Sequence, residues 1–162
     1  MSEKAEAKLT VGELIAGRYR MVAPIAQGGM GSVWKAHDER AFGQAVAIKV
    51  VRAVSASESV KKRFVEEAKV ISTLNSPHIV GLREYGTTES NYPFFVMDLL
   101  EGQTVTERLA TEGACSERDG ARILDGLLAG LQELHLQGVI HRDLKPSNVF
   151  LEQSSAIDAH VR

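Results

Sequence analysis

Between Tyr19 and Ala26 apolar and polar positions alternate loosely, with Met21 and Val22 followed by Pro24 and Ile25, a pattern that predicts extended backbone. Gln27-Gly28-Gly29-Met30-Gly31 breaks it with a turn, and Ser32-Val33-Trp34-Lys35-Ala36 resumes the alternation as a second strand. Ala45 to Val51 is β-branched and apolar on both faces, as a buried strand requires. From about Glu58 to Leu74 the period becomes helical. Asn75-Ser76-Pro77 ends that helix, because proline pushes the residue before it out of the helical region. Ile79 to Tyr85 and Pro93 to Leu99 return to strand. The second half changes character. Ser116 is a candidate N-cap with Asp119 three residues on, and Ala121, Leu124, Leu127, Leu128, Leu131 and Leu134 recur at helical spacing until Gly138 supplies a stop. Val139-Ile140 and Val149-Phe150-Leu151 then flank a polar loop from His141 to Asn148. A strand-rich half with one helix, followed by a helical half, predicts an α+β fold.

Composition narrows the function classes. The 162 residues suit one ordinary globular core, with 44% apolar and 25% charged positions. Nineteen Lys and Arg against 21 Asp and Glu leave a net charge of −2, which speaks against nucleic acid bound through bulk charge. No apolar run approaches the ~20 residues of a membrane helix, and Met1-Ser2-Glu3-Lys4-Ala5-Glu6 does not read as a signal peptide, so the expected location is cytoplasmic. Cys115 is the single cysteine, which excludes an internal disulfide and a cysteine-built metal site.

Three features carry chemistry. Gly28, Gly29 and Gly31 allow the backbone to approach a phosphate, since no Cβ stands in the way. A Walker loop needs Lys-Ser/Thr after its last glycine, whereas Gly31 is followed by Ser32-Val33. A dinucleotide loop needs a helix there, and the residues read as strand. A hairpin flap over phosphates remains, beside the plain reading of a glycine-rich hairpin turn. The second feature is a pair of charges. Lys49 shares a strand face with Ala45, Ala47 and Val51, and Glu67 shares a helical stripe with Phe64, Ile71 and Leu74. Each is expected to point into an apolar interior, and because an unpaired buried charge costs about 3–5 kcal/mol, the two should meet. Such a pair is either purely structural or a means of presenting the ammonium to an anion. The third feature is the loop itself, where Asp143, Lys145 and Asn148 place an acid, a cation and a neutral oxygen ligand within a few positions. They suit, in turn, a hydroxyl proton, a transferring phosphoryl group and Mg²⁺.

With these residues assembled, the sequence closely resembles the protein kinase family. Ala26 to Val33 is similar to its glycine-rich loop, Val46-Ala47-Ile48-Lys49 to its third-strand lysine motif, and Phe64 to Ala68 to its C-helix, with Glu67 in the ion-pair position. His141-Arg142-Asp143-Leu144-Lys145-Pro146-Ser147-Asn148 resembles the catalytic loop in its serine/threonine form, and Gly-Gly-Met-Gly before Val resembles bacterial members. The resemblance implies a small lobe over 19–100, an antiparallel sheet with one helix, after a flexible tail at 1–18. The incomplete start of a helical large lobe follows over 101–162. It implies ATP and Mg²⁺ as ligands and a protein bearing Ser or Thr as substrate. Ala26, Gln27, Gly28, Gly29 and Gly31 would cover the phosphates, and Lys49 would grip them. Val33, Ala47 and Phe150 would sandwich the adenine, with Met97 as gatekeeper, Asp98, Leu99 and Leu100 as hinge, and Glu101 near the ribose. Asp143 would take the hydroxyl, Lys145 the γ-phosphate and Asn148 the metal, while His141 and Arg142 read as scaffold.

Two departures shape the expectations. The first glycine of the family loop is Ala26 here, the mildest replacement. The family's Asp-Phe-Gly, whose Asp holds Mg²⁺, has no counterpart, since Asp158 is followed by Ala159. The 162 residues alone are therefore expected to turn over little. The alternative is a non-catalytic fragment that binds nucleotide or docks on a partner, with self-association through the Leu124–Leu134 stripe.

Overall fold

Alternating β-branched and aromatic residues settle into one antiparallel sheet. The computed structural model describes residues 9–28, 31–51, 66, 68–74 and 76–153. Its first six strands are β1 (Leu14–Ile15), β2 (Tyr19–Gly28), β3 (Gly31–Asp38), β4 (Gln44–Val51), β5 (Leu82–Thr87) and β6 (Pro93–Asp98). Among the described residues they form a single sheet in the order β1-β2-β3-β4-β6-β5. Every neighbouring pair is antiparallel. Strand β2 slips register twice, between Met21 and Ala23 and again between Pro24 and Ala26. Each slip inserts one residue, which is why the alternation along this stretch is only loose.

The core lies on one face of the sheet. Trp34 of β3, Ile48 of β4 and Val96 of β6 stand opposite one another across the ladder, and all three are buried. Tyr19 meets Phe94 edge to face, with ring centroids 6.2 Å apart. A charged cluster closes one end. Arg18 donates from Nε and Nη2 to the two carboxylate oxygens of Asp38, at 2.8 and 2.6 Å, and from Nη1 to Glu84. The Tyr19 hydroxyl donates to the same Glu84 oxygen at 2.6 Å. Three strands separate β2 from β5 in the sheet order, so these side chains meet only because the sheet curls.

The chain divides into two compact units, Met1–Arg63 with Leu82–Leu99, and Phe64–Gly81 with Leu100–Arg162. In the second, β7 (Gly102–Thr104) pairs with β8 (Phe150–Glu152), and α1 (Val105–Glu112) and α2 (Glu117–Leu136) lie between them in sequence. Residues 68–72 are helical, as expected; most of the proposed Glu58–Leu74 helix lies outside the described residues. Ser116 caps α2 by accepting from the Asp119 N–H at 3.1 Å, the cap its spacing announces. Strand β7 and helix α1 were not expected, although Thr104 and Glu107 form a complete capping box. Val139 and Ile140 are not a strand; Val139 is buried and Ile140 exposed. The leucine stripe also splits. Leu127 packs on the buried Val149 and Leu151, whereas Leu124 and Leu128 are 56% and 62% exposed. Among the described residues no helix is long and apolar enough to cross a membrane.

Candidate functional site

The sheet ladder sorts the candidate residues of the first unit by face. Ala26 stands opposite Val33, Val33 opposite Lys49, and Ala47 opposite Met97. Directly opposed residues share a face and alternate residues along a strand return to it, so Ala26, Val33, Ala47, Lys49 and Met97 all lie on the face away from the Trp34-Ile48-Val96 core. The expectation that Lys49 points into an apolar interior is therefore corrected. Lys49 is exposed, because Val46, Ile48 and Val50 take the core side of β4. Glu67 and Gly29, both singled out in the sequence, lie outside the described residues.

Gly28 and Gly31 bracket the glycine turn as an opposed pair of β2 and β3. They are not equivalent. Gly31 has φ +145°, and a Cβ there would sit 2.1 Å from the Val50 carbonyl oxygen on β4; at Gly28 a Cβ would meet nothing within 4 Å. Gly31→Ala must force β3 away from β4 and is expected to cost about 2–4 kcal/mol, against at most about 1 kcal/mol for Gly28→Ala. Urea unfolding of the two variants side by side checks this, and equal losses would overturn it.

Asp98 ends β6 opposite Val46, and its carboxylate accepts from Arg83 Nε at 2.6 Å. The chain passes from the first unit to the second between Leu99 and Leu100. Leu100 is half-buried, and Glu101 is exposed, with its carbonyl accepting from the Gln153 N–H at 2.7 Å. Phe150 is half-buried on β8, opposite Thr104. Gln27 is exposed at the end of β2.

The polar loop of the second unit is tightly tied within itself. Val139, whose N–H donates to the Leu134 carbonyl, anchors its start, and Val149, buried on Leu127, anchors its end. Arg142 adopts a left-handed φ of +59°, and the Asp143 N–H turns back to the His141 carbonyl at 2.8 Å. Arg142 thus turns the backbone so that Asp143 folds back on His141. Pro146 opens a short 3₁₀ turn, Pro146–Asn148, where its missing N–H costs nothing. The turn brings Asn148 back over Asp143, donating from Nδ2 to its carbonyl at 2.8 Å and to Oδ2 at 3.0 Å. Lys145 Nζ donates to both carboxylate oxygens, at 3.0 and 2.8 Å. The Lys145 ammonium, and then the Asn148 amide, hold the Asp143 carboxyl below the usual carboxylate range. Asp143 and Lys145 are half-exposed, so both reach solvent or a bound reactant. The three residues that spacing had grouped are one hydrogen-bonded cluster. An ionised carboxylate held between a cation and an amide can accept a hydroxyl proton, and the cation beside it can meet an anionic group.

The family model described as the protein kinase domain matches residues 19–159. The chain is 37% identical over 143 residues to the serine/threonine-protein kinase pkn3 of Myxococcus xanthus, covering 88% of this chain and 26% of that protein. It is 35% identical over 152 residues to the serine/threonine-protein kinase PknA of Mycobacterium tuberculosis, covering 91% of this chain and 35% of that protein. Its fold is similar to the crystal structure of the Mycobacterium tuberculosis PknI kinase domain, with a TM-score of 0.77 and 28% identity over 94% of this chain and 60% of that one. The chain thus spans about a quarter to a third of the length of these curated relatives.

Proposed function

Because this chain belongs to the protein kinase family, we propose that it binds ATP with Mg²⁺ and carries the residues that transfer a phosphoryl group to Ser and Thr hydroxyls of a protein. The observation that carries this reading is the Asp143-Lys145-Asn148 cluster. Asp143 accepts a hydrogen bond from the substrate hydroxyl and aligns its oxygen for attack. With its carboxyl held below the ordinary range it is a weak base, so it orients the hydroxyl first and takes the proton late in transfer. Lys145 follows the phosphoryl group as negative charge develops.

In the sheet unit, Val33, Ala47 and Met97 offer an apolar surface to an adenine, with the backbone of Asp98 to Leu100 at its edge. Ala26, Gln27, Gly28, Gly29 and Gly31 cover the phosphates, and the exposed Lys49 meets them. Within the second unit, Phe150 and Glu101 are the residues that the family resemblance assigns to base and ribose. The donor set fits a hard cation. Both hydrogen bonds from the Asn148 amide run through Nδ2, so its oxygen is the atom that would hold Mg²⁺. The chemistry such an ion would supply there is neutralisation of phosphate charge.

The test is a pair of measurements on the purified chain: a calorimetric MgATP titration, and incubation with [γ-³²P]ATP and a Ser/Thr-containing protein. Saturable MgATP binding and label confined to Ser and Thr are expected. Absence of binding, or label on Tyr, would overturn the reading. The 162 residues contain no Asp-Phe-Gly, so transfer by them alone should be far below the roughly 1–100 s⁻¹ of kinases; a rate in that range would refute this clause.

A further inference from the structure

Strand β5 carries one irregularity, and it sits beside the point where the chain leaves the sheet. Leu82 lies opposite Met97 and Glu84 opposite Val96, so Arg83 is the extra residue of a β-bulge. A bulge re-aims a side chain that regular pleating would send elsewhere. Here it delivers the Arg83 Nε to the Asp98 carboxylate at 2.6 Å. Asp98 is the last residue of β6, and its other flank is the ladder partner Val46 on β4. The chain enters the second unit after Leu99. The strand end is therefore held from both sides, by backbone pairing to β4 and by a guanidinium from the edge strand β5.

Global stability is a poor reason for this arrangement. The two side chains are 40% and 33% exposed, and ion pairs so exposed add little to stability. A planar guanidinium nevertheless fixes the direction of the carboxylate it meets, and with it the backbone that bears the carboxylate. We propose that Arg83 is a positioning residue that acts through Asp98, setting the backbone at the end of β6 for the edge of the nucleotide base. The inference rests on the nucleotide binding proposed above and adds to it a residue outside the binding surface.

The experiment compares the whole chain with Arg83→Met and Arg83→Lys, using MgADP as the titrant. Arg83→Met is expected to raise the MgADP Kd roughly two- to fivefold, the range an ion pair of this exposure supports, with the thermal midpoint unmoved. Arg83→Lys should recover part of the loss, and the gap between wild type and Arg83→Met should narrow as salt rises. In the nucleotide-free protein, amide hydrogen exchange should quicken at Asp98, Leu99 and Leu100 in Arg83→Met while Ile48 and Val96 stay protected. Combining Arg83→Met with Asp98→Asn should add nothing to the Kd beyond the larger single effect, as two halves of one contact require. A wild type that binds MgADP beside an Arg83→Met that binds equally well overturns the inference and leaves nucleotide binding standing. A wild type that binds no nucleotide overturns the proposed function and takes the inference with it. A fall in thermal midpoint matching the loss of affinity also overturns it, because the pair would then be structural.

Discussion

Asp143→Asn is expected to lower phosphoryl transfer by about 10²–10⁴-fold, while MgADP affinity changes by less than about twofold. Asn is nearly isosteric and can still receive the Lys145 and Asn148 hydrogen bonds on its amide oxygen, so the loop keeps its shape. It has no carboxylate to receive a proton, so the loss falls on the chemical step. Single-turnover [γ-³²P]ATP assays with excess enzyme suit the slow rate expected of these 162 residues. The pH dependence supplies a second readout. Lys145 is the leading cause that holds the Asp143 carboxyl down, so the wild-type rate should persist into acid below the ordinary carboxylate range. Lys145→Met removes that cause, and the acid limb of the profile should move to higher pH. An unmoved limb, or transfer by Asp143→Asn near the wild-type rate, would remove Asp143 from its assigned role.

Asp38→Ala is expected to destabilise the protein by about 3 kcal/mol, on the order of 10 °C in unfolding midpoint. The Asp38 side chain is only 7% exposed and accepts two hydrogen bonds from Arg18 as well as the Arg40 N–H at 3.0 Å. Arg18 is 28% exposed and keeps Glu84, so the lower end of the cost of breaking a buried pair applies. The same pair links stability to pH. Arg18 is the leading cause that lowers the folded-state carboxyl of Asp38 beneath its unfolded value. Its stabilisation is fully present above the ordinary carboxylate range and is lost as pH falls from there through the lower folded value. Urea unfolding across that window should show wild type declining more steeply than Asp38→Asn, which has nothing to titrate at this site. Parallel declines would show that other carboxylates govern acid stability.

What could be read from the chain and what could not divide by the range of the interactions. Asp143, Lys145 and Asn148 meet within one short loop, so their order and spacing nearly determine their geometry once Pro146 sets the turn. The cap of α2 is equally local, since Ser116 reaches an N–H three residues away. The α1 cap at Thr104 was just as local and was legible, but a three-residue strand running straight into a short helix offers too little periodicity to announce either element. The leucines of α2 show the other limit. Periodicity finds their helix, but only the packing of Val149 and Leu151 determines that Leu127 is covered while Leu124 is left exposed.

Unaided, the amino-acid order determined strands β2 to β6, the cap of α2 and the chemistry of the loop, because each depends on neighbours a few residues apart. Only the folded sheet decided that Lys49 faces solvent, that Arg18 reaches Glu84 and that Arg83 turns toward Asp98. Those outcomes depend on register between strands far apart in sequence, and one inserted residue in β2 or β5 shifts every side chain beyond it to the opposite face.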